Sequence, residues 1–151
     1  MKDRTVVHGT FTLERIYSHV PEKVFRAWAS AEAKARWFAP PEGFHKTPLT
    51  QDFRPGGREH ITSTPPGGEP HVFDATYWDI VPNERIVFCY EMHIGKAKIS
   101  VSLATVEFKP DRKGTRFVLT EQGAFLDGYD DAGSRERGTR SEEHTSELQS
   151  H

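Results

Sequence analysis

The stretch Arg85-Ile86-Val87-Phe88-Cys89-Tyr90-Glu91-Met92-His93 sets the reading of this chain. Ile86, Phe88, Tyr90 and Met92 recur at every second position, the period of a strand with one buried face. Gly95-Lys96 follows as a tight turn, and Ile99–Phe108 and Thr115–Gln122 read as two more strands around the turn Pro110-Asp111-Arg112-Lys113-Gly114. Working back from Arg85, Pro82-Asn83 closes a strand over Pro70–Val81, and Pro65-Pro66-Gly67-Gly68 closes another over Arg58–Thr64. Pro55-Gly56-Gly57 supplies the turn chemistry of Asp52–Gly57. Such short connections join antiparallel neighbours, so this half of the chain predicts a run of hairpins.

Ahead of the hairpins the period changes. Val24, Phe25 and Trp28 fall at helical spacing behind Pro21, which suits a first helical turn because its missing N–H needs no partner there. Pro21–Ala29 is therefore a predicted helix. Ser30 caps a second, with Glu32 in its first turn beside the positive helix end. That helix ends near Trp37 and Phe38, because Pro40-Pro41 forbids its continuation. Before both helices, Thr5–Tyr17 alternates Phe11 and Leu13 with Thr10, Thr12 and Glu14, a strand with one buried face. Strand, helix, helix and then a run of strands predicts an α+β layer fold.

The composition narrows the function classes. A chain of 151 residues is the size of one domain. Its net charge of −2, with no Lys/Arg run, argues against a nucleic-acid or anionic-membrane partner. The single cysteine, Cys89, excludes a disulfide within the chain and favours a reducing compartment. Asp3, Thr10 and Thr12 interrupt the start, so no signal peptide or membrane span is expected, and the expected address is cytoplasmic.

Several stretches, in this order, carry a family resemblance. They are Pro21-Glu22-Lys23-Val24-Phe25-Arg26-Ala27-Trp28, Ala33-Lys34-Ala35-Arg36-Trp37-Phe38-Ala39-Pro40, Asp52-Phe53-Arg54-Pro55-Gly56-Gly57 and Ile80-Val81-Pro82-Asn83-Glu84-Arg85-Ile86. Gly114-Thr115-Arg116-Phe117 and Thr120-Glu121-Gln122-Gly123 complete the set. Together they resemble the bacterial proteins similar to activator of Hsp90 ATPase, within the START-like (SRPBCC) superfamily. The resemblance implies a helix-grip fold: a curved seven-stranded antiparallel sheet gripping a C-terminal helix, with a cavity between them. It also implies three kinds of role. The first is binding of an apolar small molecule or lipid-like ligand in the cavity. The alternatives are an Hsp90-activator-like module that binds a chaperone, and a cyclase- or hydratase-type enzyme.

The C-terminal helix that such a sheet needs is poorly supported. From Ala132 to His151 the apolar residues are Ala132 and Leu148, and a helix without an apolar stripe lacks the means to pack on a core. Arg140 to His151, RSEEHTSELQSH, resembles the translation of a common DNA sequencing adapter. The expectation is a single START-like domain over residues 1–131. Residues 132–151 are then a truncated helix region, cut near Thr139, with a non-native polar tail.

Candidate site residues follow from the strand faces and the helix end. Trp37 and Phe38 precede the Pro-Pro turn as an aromatic lip or as core. Tyr90 and Met92 share a face with Ile86 and Phe88 and line a cavity if that face is concave. Glu121, between Thr120 and Gln122, is a candidate buried acid or ligand anchor, since burial would raise its pKa toward proton transfer. His60 and Glu91 are weaker candidates of the same kind. His8, His19, His45, His60, His71 and His93 show no paired ligand spacing, so neither a metal nor a cofactor is expected. Gly56-Gly57 and Gly67-Gly68 lack phosphate-loop spacing, and no nucleophile elbow occurs. Cys89 reads as an inert thiol.

Overall fold

The computed structural model describes residues 3–38 and 41–143. His144, Leu148 and His151, and with them most of the adapter-like string, lie outside the described residues. The first strand, β1, spans Val6–Tyr17, and two helices follow, α1 over Pro21–Ala29 and α2 over Ala31–Trp37. Then come β2 (His45–Lys46), β3 (Thr50–Gln51), β4 (Arg58–Thr64), β5 (His71–Val81), β6 (Arg85–Ile94), β7 (Ala97–Asp111) and β8 (Gly114–Leu126). A third helix, α3, runs over Ala132–Glu143. All strand pairs are antiparallel, in the order β1-β8-β7-β6-β5-β4-β2, with β3 also on β4. The result is the open, curved sheet of an α+β helix-grip fold.

The eight strands occupy seven lanes. β2 pairs with Thr64 and Ser63, and β3 with His60 and Glu59, so both lie along β4. Pro48, between them, has no N–H to give the ladder, which interrupts the edge lane. The sequence reading missed both fragments, because two-residue pieces carry no period.

One face of the sheet is apolar and carries the core. Phe11, Leu13 and Tyr17 of β1, Ile86, Phe88 and Tyr90 of β6, Val106 and Phe108 of β7, and Phe117 and Leu119 of β8 all fall below one tenth exposed. Helix α1 lays Val24, Phe25 and Trp28 on that face. Its N-terminus has Pro21 at the first position, and its end at extended Ser30 turns the chain into α2, where the Ser30 hydroxyl accepts from the Ala33 N–H at 3.3 Å. The Trp37 indole N–H donates to the Ala27 carbonyl at 2.8 Å and ties the two helices together. Trp28 stacks against Trp37 with ring centres 4.9 Å apart and against Phe117 at 5.8 Å. Replacing Trp28 by Ala would cost about 3–5 kcal/mol through the void it leaves.

Helix α3 forms without an apolar stripe. Asp131 caps it by accepting from the Ser134 N–H at 2.8 Å. Ala132 sits against β1 at Gly9, where a Cβ would lie 2.4 Å from the Ala132 Cβ. The remaining anchor is polar: Arg135 reaches down to Tyr90, Ser100 and Asp130. Hydrogen bonds and one small-residue contact thus do the work that the sequence reading reserved for an apolar stripe.

Candidate functional site

A cavity of about 50 Å³ lies between the helices and the sheet. Its apolar walls are Trp28 of α1, Trp37 and Phe38 at the end of α2, Phe73 of β5, and Phe88 and Tyr90 of β6. Lys34 and Glu121 supply charged groups, and Thr139 of α3 reaches its rim.

Lys34 is 2% exposed, an unusual place for an ammonium group. Helical spacing puts it there: it lies three residues before buried Trp37, on the same face of α2. Its Nζ is 2.8 Å from Glu59 Oε1 on β4, and both side chains are essentially removed from solvent. Four rings surround the ammonium, those of Trp28 (5.0 Å to the centroid), Phe38 (5.2 Å), Phe88 (5.7 Å) and Trp37 (5.9 Å). Behind Glu59, the Tyr77 hydroxyl donates to Oε1 and Gln51 Nε2 donates to the same oxygen at 3.3 Å. Gln51 also donates to the Trp28 carbonyl at 2.9 Å, which fastens α1 to this cluster. Burial, followed by the Glu59 charge, pushes the Tyr77 hydroxyl far above the usual phenol range, so Tyr77 stays protonated and donates. A buried ion pair stabilises only when its remaining polar atoms are met, and Tyr77 and Gln51 meet part of that need.

A second polar group reaches the cavity from β8. The Tyr90 hydroxyl donates to Glu121 Oε2 at 2.7 Å. Arg135 Nη1 donates to the Tyr90 oxygen at 2.9 Å and lies 3.6 Å from Glu121. Arg135 Nη2 donates to Ser100 Oγ at 2.8 Å and pairs with Asp130 at 2.9 Å, while its guanidinium covers the Tyr90 and Phe125 rings. Burial raises the pKa of Glu121, and the Tyr90 hydrogen bond and the Arg135 charge only partly offset it. Tyr90 is pushed up as well, by burial first and then by the Glu121 charge. Glu121 therefore holds its proton more tightly than an exposed carboxyl does.

The residues singled out in the sequence divide between cavity and surface. Trp37, Phe38, Tyr90 and Glu121 come together at the cavity. Met92 packs at the margin of the core. His60 points the other way: its Nδ1 meets Asp74 and its Nε2 meets Thr62 Oγ1, with the side chain 44% exposed. Glu91 pairs with Lys98 at 2.8 Å on the outer side. On β4 the inward residue is Glu59, one position before His60. Its alternation with buried Ile61 was the available signal. Lys34, Glu59, Tyr77 and Arg135 were not anticipated. Lys34 was findable as a base on the Trp37 face of α2. Arg135 was not, because nothing local marks which arginine of a polar helix turns inward. Among the described residues no group of three His, Cys, Asp or Glu side chains is placed to hold a metal.

The family model described as "Activator of Hsp90 ATPase homolog 1-like protein" matches residues 18–148. The chain belongs to this family. Members of this Hsp90-activator-like fold class bind ligands or partners. Among solved structures, the chain is similar to a protein from Rhizobium leguminosarum (43% identity, TM-score 0.90, covering 97% of this chain and 95% of that one). It is also similar to one from Rhizobium loti (46% identity, TM-score 0.85, 91% and 94% covered). A protein from Chromobacterium violaceum follows at 27% identity and a TM-score of 0.71, with 88% and 90% covered. No curated protein matches the chain. Among the described residues no helix is long and apolar enough to cross a membrane.

Proposed function

We propose that this member of the Hsp90-activator-like family binds an apolar small molecule in the cavity between α1, α2, α3 and the sheet. The observation that carries the reading is the cavity's make-up: six aromatic residues with two charged groups, Lys34 and Glu121, set among them. Ligand sites are built this way, from apolar surface for affinity and a few placed polar atoms for orientation. Trp28 and Trp37 line the cavity while Trp78 is 61% exposed, so two of the three indoles report on an occupant. Titration with small apolar compounds should shift the buried-indole emission and raise the Tm with ligand concentration, by about 2.7 kcal/mol of stability at a hundredfold excess over Kd. A panel of such compounds that moves neither signal up to its solubility limit refutes the reading.

One observation favours a second reading, an acid–base enzyme of the cyclase or hydratase type. Glu121 is a cavity carboxyl whose proton is held more tightly than usual, and such groups suit proton transfer near neutral pH. Under that reading Glu121→Gln abolishes turnover of a bound compound while leaving its binding intact. Equal turnover in the two proteins would remove it.

A further inference from the structure

We infer that the free edge of β1 pairs antiparallel with β1 of a second copy of this chain, joining the two sheets across a two-fold axis at Phe11. The two edges of the sheet are built differently. At one, β2 and β3 are two-residue pieces interrupted by Pro48, and short strands broken by proline discourage pairing with another chain. At the other, β1 runs over Val6–Tyr17 without a proline and in continuous register with β8. Among the described residues no strand pairs with its outer side. The helices leave that side open. α1 packs on β7 and β8. α3 starts with Ala132 over Gly9 and crosses inward, through Arg135 at Tyr90 and Ser100, to Thr139 at the cavity rim. None of the cavity-lining residues lies on β1, so this inference stands apart from the ligand reading.

The strand's own sequence fits a second copy of itself. Val6, His8, Thr10, Thr12, Glu14 and Ile16 share the exposed outer face of β1. An antiparallel copy centred on Phe11 sets Val6 against the partner's Ile16, His8 against the partner's Glu14 and Thr10 against the partner's Thr12, each twice by symmetry. Val6 and Ile16 are aliphatic side chains left 50% and 62% exposed, and the seam covers both. His8 has an N–H to give the carboxylate in either protonation state, and a carboxylate accepts at both oxygens, of which Arg116 holds Oε1 at 3.2 Å. Outer-face residues must meet outer-face residues, so the competing registers differ by slips of two. A centre at Thr10 sets Glu14 against Val6. A centre at Thr12 sets Ile16 against His8 and leaves Val6 beyond the end of the strand. Of the three, the Phe11 centre alone matches apolar with apolar and donor with carboxylate.

Two measurements on the full chain test this. Sedimentation velocity over a dilution series should show a monomer–dimer equilibrium. Ile16→Lys brings an ammonium into the apolar contact at two places and should weaken the dimer about tenfold, which is about 1.4 kcal/mol shared between two symmetric contacts and lies within the range of cross-strand pairs. His8→Glu sets carboxylate against carboxylate twice and should weaken it as much. Adding Glu14→His, which exchanges the two groups, should restore the dimer. All three changes fall at exposed positions, and thermal unfolding checks that the monomer is intact. The second measurement needs no substitution: in a sample mixed from 13C-labelled and unlabelled chain, a filtered NOE should link the methyls of Val6 and the partner's Ile16. Within one chain these methyls lie ten positions apart on one strand, roughly 33 Å, so the cross-peak reports only the partner. A chain that stays monomeric throughout the series, a dimer indifferent to Ile16→Lys and His8→Glu, or one without that cross-peak overturns the inference.

Discussion

Replacing Lys34 alone by Met is the most informative perturbation, because it keeps the aliphatic stem and removes only the ammonium. Glu59 would then be a carboxylate with no solvent contact and no cation, retaining the hydrogen bonds of Tyr77 and Gln51. Breaking a buried pair from one side costs about 3–5 kcal/mol. The net stability of a whole domain is about 5–15 kcal/mol. At roughly 2–4 °C per kcal/mol for a chain of this size, the Tm should fall by about 6–20 °C. Adding Glu59→Gln removes the stranded charge, and the double variant should regain most of the loss, since a buried pair often contributes little over neutral groups of similar shape. Thermal and urea unfolding of the three proteins measure this directly. A single variant that loses under about 1 kcal/mol, or a double variant that regains none of the loss, would refute the assignment of Lys34–Glu59 as a mutually dependent buried pair.

Three further outcomes follow from the same geometry. Because burial raises the Glu121 pKa, the folded wild type should lose stability relative to Glu121→Gln as pH rises above about 4.5, the ordinary carboxyl value; parallel pH profiles would contradict this. Arg135→Met removes the bonds to Tyr90, Ser100 and Asp130 and should speed amide exchange along α3 while β6, β7 and β8 keep their protection, at a cost of about 1.5–3 kcal/mol. Unchanged exchange in α3 would mean that Arg135 does not hold the helix. Gly9→Val places side-chain atoms where Ala132 sits and should loosen α3 at a cost of about 1–3 kcal/mol, read as faster α3 exchange. A variant indistinguishable from wild type would show that the Gly9–Ala132 contact is dispensable.

Much of the scaffold was legible residue by residue. The helix over Pro21–Ala29 and the strand over Arg58–Thr64 have the bounds their punctuation predicts, because proline and glycine act on their own neighbours. The face of β6 was legible from period two, and with it the inward placement of Tyr90; the period was not read for β8, and Glu121, named as a candidate buried acid, is buried there by the fold. His60 shows where such reading fails. In β4 the alternation was clear, but the more reactive-looking side chain was preferred over Glu59, which faces the core.

The sequence by itself determined the α+β class, the order of the longer strands and of the first two helices, and the apolar faces of β1 and β6. These depend on interactions between residues a few positions apart. Tertiary structure alone decided that Lys34 meets Glu59 from 25 residues away, that Tyr90, 31 residues before Glu121, donates to its carboxyl, and that Arg135, 45 residues beyond Tyr90, closes over both. No local propensity encodes those meetings. They exist because a curved sheet and two short helices surround one small, largely apolar space, where a buried charge needs a partner whatever its distance along the chain.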